Sequence, residues 1–307
     1  MLQARRRRIC GRSRWTHRSQ ATAEGAELYP QVAGRPFGVL IGFQTGHPFM
    51  LRPTYQALAD LPLAERIVEL RRPEVKQAIL GEENGTGTGA VNESLAVFAG
   101  TMLHSLYVLG DPPDYEPTHD RSVAGLADAA GVSQEEAAYD AFCAEDGRAL
   151  LMLPLYNYVA ENHDAIREQL THPRAVIGLS DGGAHCGLIC DASLPTTMLA
   201  HWTRDRTRGE QLPLEWVVRK QTKDTAELFG LKDRGTIEVG KRADLNVIDY
   251  ERLNLRTPEL VHDLPAGGRR LIQAAEGYVA TIVAGEVTRR EGVDTGARPG
   301  RLVRGRR

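Results

Sequence analysis

The chain has 307 residues, 42% of them hydrophobic and 25% charged, which suits one large or two ordinary soluble globular domains. No apolar run approaches the roughly 18 residues that a membrane-spanning helix needs, so an integral membrane protein is excluded and no membrane partner is expected. The first 20 and last ten residues hold twelve of the 38 basic residues and none of the 40 acidic ones, so the body between them has a formal charge of about −14 and is not suited to nucleic acid.

Residues 1–24 form a basic segment with three open interpretations: an arginine-rich targeting peptide, an RNA-binding arm, or a disordered or non-native start, which we favour. A secretory signal is excluded because no apolar stretch follows the arginines. The cysteines lack the regular spacing of a disulfide framework, so the expected location is the cytoplasm. They are Cys10, Cys143, Cys186 and Cys190.

The first half of the chain alternates between strand and helix patterns. GVLIGF (38–43) predicts a buried strand, and residues 63–80 have helical periodicity before the loop GEENGTGTG. Two short helices are predicted over 122–131 and 133–147. Ser133 and Glu136 have the spacing of a capping box at the start of the second.

The next segments predict parallel βα units. ALLMLPLYNY (149–158) is typical of a strand, ENHDAIREQLTH (161–172) of a helix and RAVIGLS (174–180) of a buried strand. Further helices are predicted from Pro195 and over 212–231, with Gly230 as the stop.

From residue 233 onward the pattern changes to apolar–polar alternation between glycine turns, which predicts short antiparallel strands. We therefore expect three parts: the basic segment 1–24, an α/β body over 25–232 with a lid-like insertion, and a small β domain with a basic tail over 233–307.

The stretch GLSDGGAHCGLICD (178–191) contains the main catalytic candidate. Asp181 ends a predicted strand, and in a (β/α) barrel the carboxyl ends of strands face the active site. Gly182 and Gly183 allow a sharp turn and a close approach of substrate to the main chain. Asp–Gly is also ordinary turn chemistry, so these residues alone leave both interpretations open.

Four segments resemble the C-terminal half of the amidohydrolase superfamily, in its N-acyl-D-amino-acid deacylase (D-aminoacylase-like) branch: GLSDGGAHCG, TKDTAELFGL, RGTIEVGKRADLNVID and GYVATIVAGEVTRREG. The resemblance covers roughly residues 25–303. It implies an α/β fold with a TIM-like metal-dependent hydrolase barrel, here partial, and a small C-terminal β-sandwich.

The same resemblance implies hydrolysis of a non-peptide C–N amide bond in a small N-acylated substrate, with one or two Zn²⁺ ions that activate water. Asp181 matches the carboxylate that binds the metal and transfers the proton to the leaving amine. Gly182, Gly183 and His185 are the expected substrate contacts.

The zinc ligands that the resemblance implies are mostly absent. The family has a His-x-His pair on its first barrel strand and further histidines on middle strands, whereas no two of the nine histidines here are separated by one residue. A full barrel takes about 250 residues, but only about 200 precede the β region. We expect a barrel truncated at its N-terminal side and a chain that binds Zn²⁺ poorly and has little or no activity. The alternative is a catalytically silent fragment that docks onto an N-terminal half or another chain, including a second copy.

The remaining candidates have ordinary structural interpretations. Cys186 and Cys190 fit packing better than a metal site with His185, and His47 fits a turn. His104 and His119 flank the lid-like GDPPDYEP and are candidate substrate contacts. Arg52, Arg204 and Arg206 are candidates to pair with a substrate carboxylate, but we expect them on the solvated surface.

Overall fold

The computed structural model describes residues 24–178, 180 and 186–304. Ten α-helices occur in these ranges: α1 Pro53–Gln56, α2 Leu63–Leu70, α3 Pro73–Gly81, α4 Val91–Gly100, α5 Val123–Ala130, α6 Gln134–Gly147, α7 Asp164–Leu170, α8 Leu194–Ala200, α9 Leu214–Arg219 and α10 Thr225–Leu228. The π-helical segments His201–Asp205 and Lys220–Asp224 extend α8 and α9. No helix in the described ranges is long and apolar enough to cross a membrane.

Thirteen strands are found in the same ranges: β1 Gln31–Val32, β2 Phe37–Ile41, β3 Tyr107–Val108, β4 Leu151–Tyr156, β5 Val176–Ile177, β6 Leu245–Ile248, β7 Asn254–Leu255, β8 Glu259–Leu264, β9 Gly268–Ile272, β10 Ala275–Glu276, β11 Tyr278–Val283, β12 Glu286–Arg290 and β13 Val293–Asp294. The result is a mixed α/β body followed by a C-terminal region of sheets.

The predicted elements of the α/β body exist, but their strands pair differently from the expectation. β4 lies between β2 and β3 in an antiparallel sheet, whereas β5 pairs in parallel with β1. The strand–helix–strand segment β4–α7–β5 therefore does not form a parallel unit within one sheet. The described strands therefore do not confirm the partial TIM-like barrel. The sequence gives the order of strands and helices along the chain, but it does not specify which strands become neighbours in a sheet.

Residues that cap or interrupt a helix through the backbone predicted several of the helix ends correctly. The Ser133 hydroxyl accepts a hydrogen bond from the Glu136 amide at 3.1 Å, as a capping box requires, but the Glu136 carboxylate pairs with Lys76. The helix predicted over 63–80 is divided into α2 and α3 at Pro73, which lacks an amide hydrogen. Gly230 ends α10 with φ of 70°, as expected.

The C-terminal region contains a four-stranded antiparallel sheet in the order β13-β12-β11-β6 and two strand pairs, β8 with β9 and β7 with β10. The GYVATIVAGEVTRREG hairpin is confirmed as β11 and β12. The antiparallel strands predicted from residue 233 onward begin only at Leu245, because 235–244 are turns and irregular backbone. The division of the chain at residue 232 stays a prediction.

Two apolar clusters position the site described below. The larger packs β2 and β4 against α2, α3, α5 and α6, with Ile41, Leu70 and Phe142 fully buried. The second joins α7 and α8 through Ile166, Met198 and the fully buried Trp202. Because an interior of this kind is close-packed, the polar groups at the edge of the second cluster are held in place by their neighbours.

Candidate metal centre

The residues that the sequence singled out as the site lie outside the described part of the chain. Asp181, Gly182, Gly183 and His185 belong to the segment 181–185. Their assignment as catalytic, substrate-binding and metal-binding residues stays a prediction.

The flanks of that segment are described and are tied to the α/β body and the C-terminal sheets. The carbonyl of Leu188 accepts from the Leu40 amide of β2 at 2.7 Å, and that of Cys186 accepts from the Leu271 amide of β9 at 2.7 Å. Burial raises the pKa of the Cys190 thiol to about 11, with the nearby Asp191 also raising it and Arg35 opposing. Cys190 is thus a buried thiol, in agreement with the packing interpretation.

A different group of residues converges in the structure. Within the described ranges, the ligand atoms of Glu116, His163 and His201 lie within 4.8 Å of one another. His163 Nδ1 is 3.2 Å from His201 Nε2, and Glu116 Oε2 is 3.2 Å from His201 Nε2 and 3.6 Å from His163 Nδ1. Glu116 and His163 are buried, whereas 23% of the His201 side chain is exposed.

The protonation of His163 follows from its contacts. Its Nε2 lies 2.8 Å from the Tyr115 carbonyl, which can only accept, so Nε2 carries the hydrogen and Nδ1 presents its lone pair to the cluster. Burial, aided by His201 and Arg206 and opposed by Glu116, lowers the pKa of His163 to about 3. The ring is therefore neutral at ordinary pH and stacks on Trp202 with centroids 5.7 Å apart.

Glu116 is held as a carboxylate. Burial alone would raise its pKa, but hydrogen bonds with His201 and Arg206 and the nearby His163 hold that pKa well below its usual range. Oε1 accepts from the His163 amide at 2.7 Å and from Arg206 Nη2 at 3.1 Å, while Oε2 accepts from Arg206 Nε at 3.1 Å. Arg206 also donates to Asp164 at 2.7 Å. A buried carboxylate with this set of donors stays ionised.

His201 connects the cluster to a cleft. It is the first residue of the π-helical segment after α8, where the extra residue per turn displaces the ring relative to a regular helix. The cleft has a volume of about 730 Å³, and its lining includes His201, Tyr115, Arg121, Arg204 and Arg252. That volume is in the range that small-molecule sites occupy.

Two arginines predicted to be solvated are buried, so that interpretation is wrong for both. The Arg206 side chain is fully buried on Glu116, and Arg52 donates to the Ile79 carbonyl and to Glu135. An arginine side chain can be buried when its charge is paired. The groups that pair with Arg52 and Arg206 are far from them in the sequence, so the burial of these two arginines could not be predicted from local pattern. Arg204 pairs with Asp205 and lines the cleft, and the exposed His119 lies 3.3 Å from Glu161.

Sequence reasoning missed all three residues, Glu116, His163 and His201. Glu116 and His163 are 47 residues apart in the sequence, and His163 and His201 are 38 residues apart, so no short sequence motif connects them. The available signal was weak: Glu116 follows the turn-forming GDPPDY, and His163 precedes a helix.

A carboxylate and two imidazoles beside a cleft define a candidate centre of the kind that metal-dependent hydrolases use. The sequence model of the amidohydrolase family matches residues 20–289. The chain therefore belongs to the amidohydrolase family, which confirms the resemblance found in its sequence.

The similar solved structures are D-aminoacylases. One, described as defining a novel subset of amidohydrolases, is 24% identical with a TM-score of 0.34, over 62% of this chain and 36% of that chain. A D-aminoacylase mutant in complex with CuCl₂ has the same identity and TM-score over 58% and 33%. The chain thus spans about a third of the length of these proteins. No curated protein matches it.

Proposed function

We propose that this chain serves the hydrolysis of the amide bond of an N-acyl-D-amino acid, with zinc as the metal. The observation that carries the proposal is the family match over residues 20–289. The segment GLSDGGAHCG supports it further, because Asp181 matches the carboxylate with which the family transfers a proton.

The chemistry divides between the metal and the chain. A bound zinc ion would lower the pKa of a water molecule toward neutrality and polarise the amide carbonyl. Glu116, His163 and His201 offer a donor set that fits such an ion, since carboxylate oxygens and imidazole nitrogens are common zinc ligands. Asp181 would take a proton from the water and deliver it to the leaving nitrogen. The cleft would receive the acyl amino acid.

The proposal is tested by assaying the zinc-supplemented chain against N-acetyl-D-amino acids and their L enantiomers. We expect slow turnover of the D substrates, because no His-x-His pair occurs in the sequence. Asp181→Asn should reduce that rate by about 10²- to 10⁴-fold, the usual contribution of a proton-transfer group. The exposed Asp263, paired with Arg270, provides the control Asp263→Asn, which should leave the rate unchanged. Equal rates in the wild type and Asp181→Asn would refute the assigned role.

A second candidate function is docking onto another chain, which exposed apolar side chains near the start of the C-terminal region favour. Phe229, Ile237 and Val239 are 68%, 88% and 107% exposed. Exposed apolar side chains that form a contiguous patch are found at protein interfaces. Co-expression with a separate chain that carries the His-x-His half of an amidohydrolase barrel should give a stable complex. Ile237→Lys should weaken that complex, and Val303→Lys, at another exposed apolar position, should not. Failure of the two chains to co-purify would exclude this function.

A further inference from the structure

We propose that Glu116, His163 and His201 form a binding site for one divalent transition-metal ion, of the zinc and cobalt class, with an open coordination position toward the cleft. The set is not the one that the family resemblance implies, because His201 follows Asp181 in the chain and Glu116 matches no expected ligand. The inference rests on the described geometry and does not depend on the proposed hydrolysis.

The distances between the donor atoms carry the argument. Ligand atoms bound tetrahedrally to zinc at about 2.0–2.2 Å lie about 3.3–3.6 Å from one another. The three separations here are 3.2, 3.2 and 3.6 Å. The donor atoms thus already have nearly the spacing that an ion requires, and little rearrangement is needed on binding.

The surroundings of His163 favour the same conclusion. A metal-binding histidine usually donates its second ring N–H to a carbonyl or carboxylate, which orients the ring. His163 Nε2 donates to the Tyr115 carbonyl at 2.8 Å, so the lone pair of Nδ1 faces His201 and Glu116. Stacking on Trp202 restrains the ring further.

Arg206 fits a supporting position around the carboxylate. Its Nη2 donates to Oε1 together with the His163 amide, and its Nε donates to Oε2, which also faces the two histidines. The guanidinium charge opposes a cation nearby, and Asp164 at 2.7 Å offsets part of it. We therefore expect an ion held by three protein ligands, with the fourth position toward the exposed edge of His201 and the cleft.

In the absence of an ion, a hydrogen bond accounts for the short distance between His201 and Glu116. His201 Nε2–H then donates to Glu116 Oε2, and Nε2 can bind a metal only after that hydrogen moves to Nδ1 or to solvent. The two states differ in what occupies the space between the three donor atoms, so direct measurement of metal binding distinguishes them.

The test is a titration of the whole chain with Co²⁺, followed by the visible absorption of four-coordinate cobalt and by calorimetry. We expect one equivalent to bind and Zn²⁺ to displace it. His201→Ala should weaken binding at least tenfold, because even loss of groups that only orient the ligands costs about 10- to 100-fold. His119→Ala is the matched control, since this exposed histidine also lies beside a carboxylate, Glu161. It should bind cobalt as the wild type does.

A second measurement needs no variant and covers the case in which His201→Ala does not fold. Cobalt should shift the ring protons of His163 and His201 in the NMR spectrum of the wild type and leave those of His262 unchanged. The proposal is overturned if the folded wild type binds no cobalt, or if bound cobalt leaves both rings unshifted. It is equally overturned if binding is lost in Asp181→Asn but retained in a folded His201→Ala.

Discussion

Replacing Arg206 with methionine is expected to lower the free energy of unfolding by about 3–5 kcal/mol, the usual cost of removing one partner of a buried ion pair. The guanidinium donates to both oxygens of Glu116 and to Asp164, and its side chain is fully buried. Methionine fills similar space but leaves the Glu116 carboxylate with the two imidazole rings and one amide as its neighbours. Denaturation by urea, with the midpoint and slope compared, measures the loss.

Two further variants distinguish the effect of losing the Arg206 charge from the effect of changing the packing around it. Arg219→Met removes an arginine from the exposed pair with Asp224, and its effect should be far smaller because solvent already screens that pair. Adding Glu116→Gln to Arg206→Met should restore part of the stability, since it removes the unpaired charge. If Arg206→Met were as mild as Arg219→Met, the buried ion pair would have no structural role.

Acidification is expected to destabilise the wild type more steeply than the variant His47→Asn. His47 is buried among Phe43, Tyr55 and Phe142, and burial, aided by Arg66 and Arg269, lowers its pKa well below 6.5. Below pH 6.5 the His47 ring is protonated in the unfolded chain but stays neutral in the folded chain. The free energy of unfolding therefore decreases as the pH falls. Below pH 6.5 the slope from this group rises toward a limit of about 1.4 kcal/mol per pH unit while the folded chain keeps the ring unprotonated.

Asparagine is the suitable replacement because its side-chain oxygen can take the place of Nδ1, which accepts from the Phe49 amide at 3.2 Å. The variant is less stable throughout, so the readout is the change in unfolding free energy between pH 6.5 and 4.5. His262→Asn, at an exposed position, should keep the wild-type dependence. Parallel curves for the wild type and His47→Asn would show that His47 does not cause the acid sensitivity.

The buried histidines show why the site was harder to predict than the family. His47 looked like a turn residue, and the structure places it in a turn that is also packed into the core. His163 looked like the start of a helix, and it does precede α7. Each local expectation was correct, but burial and charged partners come from residues far away in the chain. A single sequence contains no local record of those contacts.

The sequence by itself determined the family, the helix boundaries at Ser133 and Gly230, and the β11–β12 hairpin. These features depend on side-chain types and hydrogen bonds within a few residues. Only the tertiary structure decided which strands pair, which arginines are buried, and that Glu116, His163 and His201 meet. The reason is physical: such contacts form when apolar faces pack together, and packing joins residues without regard to their separation along the chain.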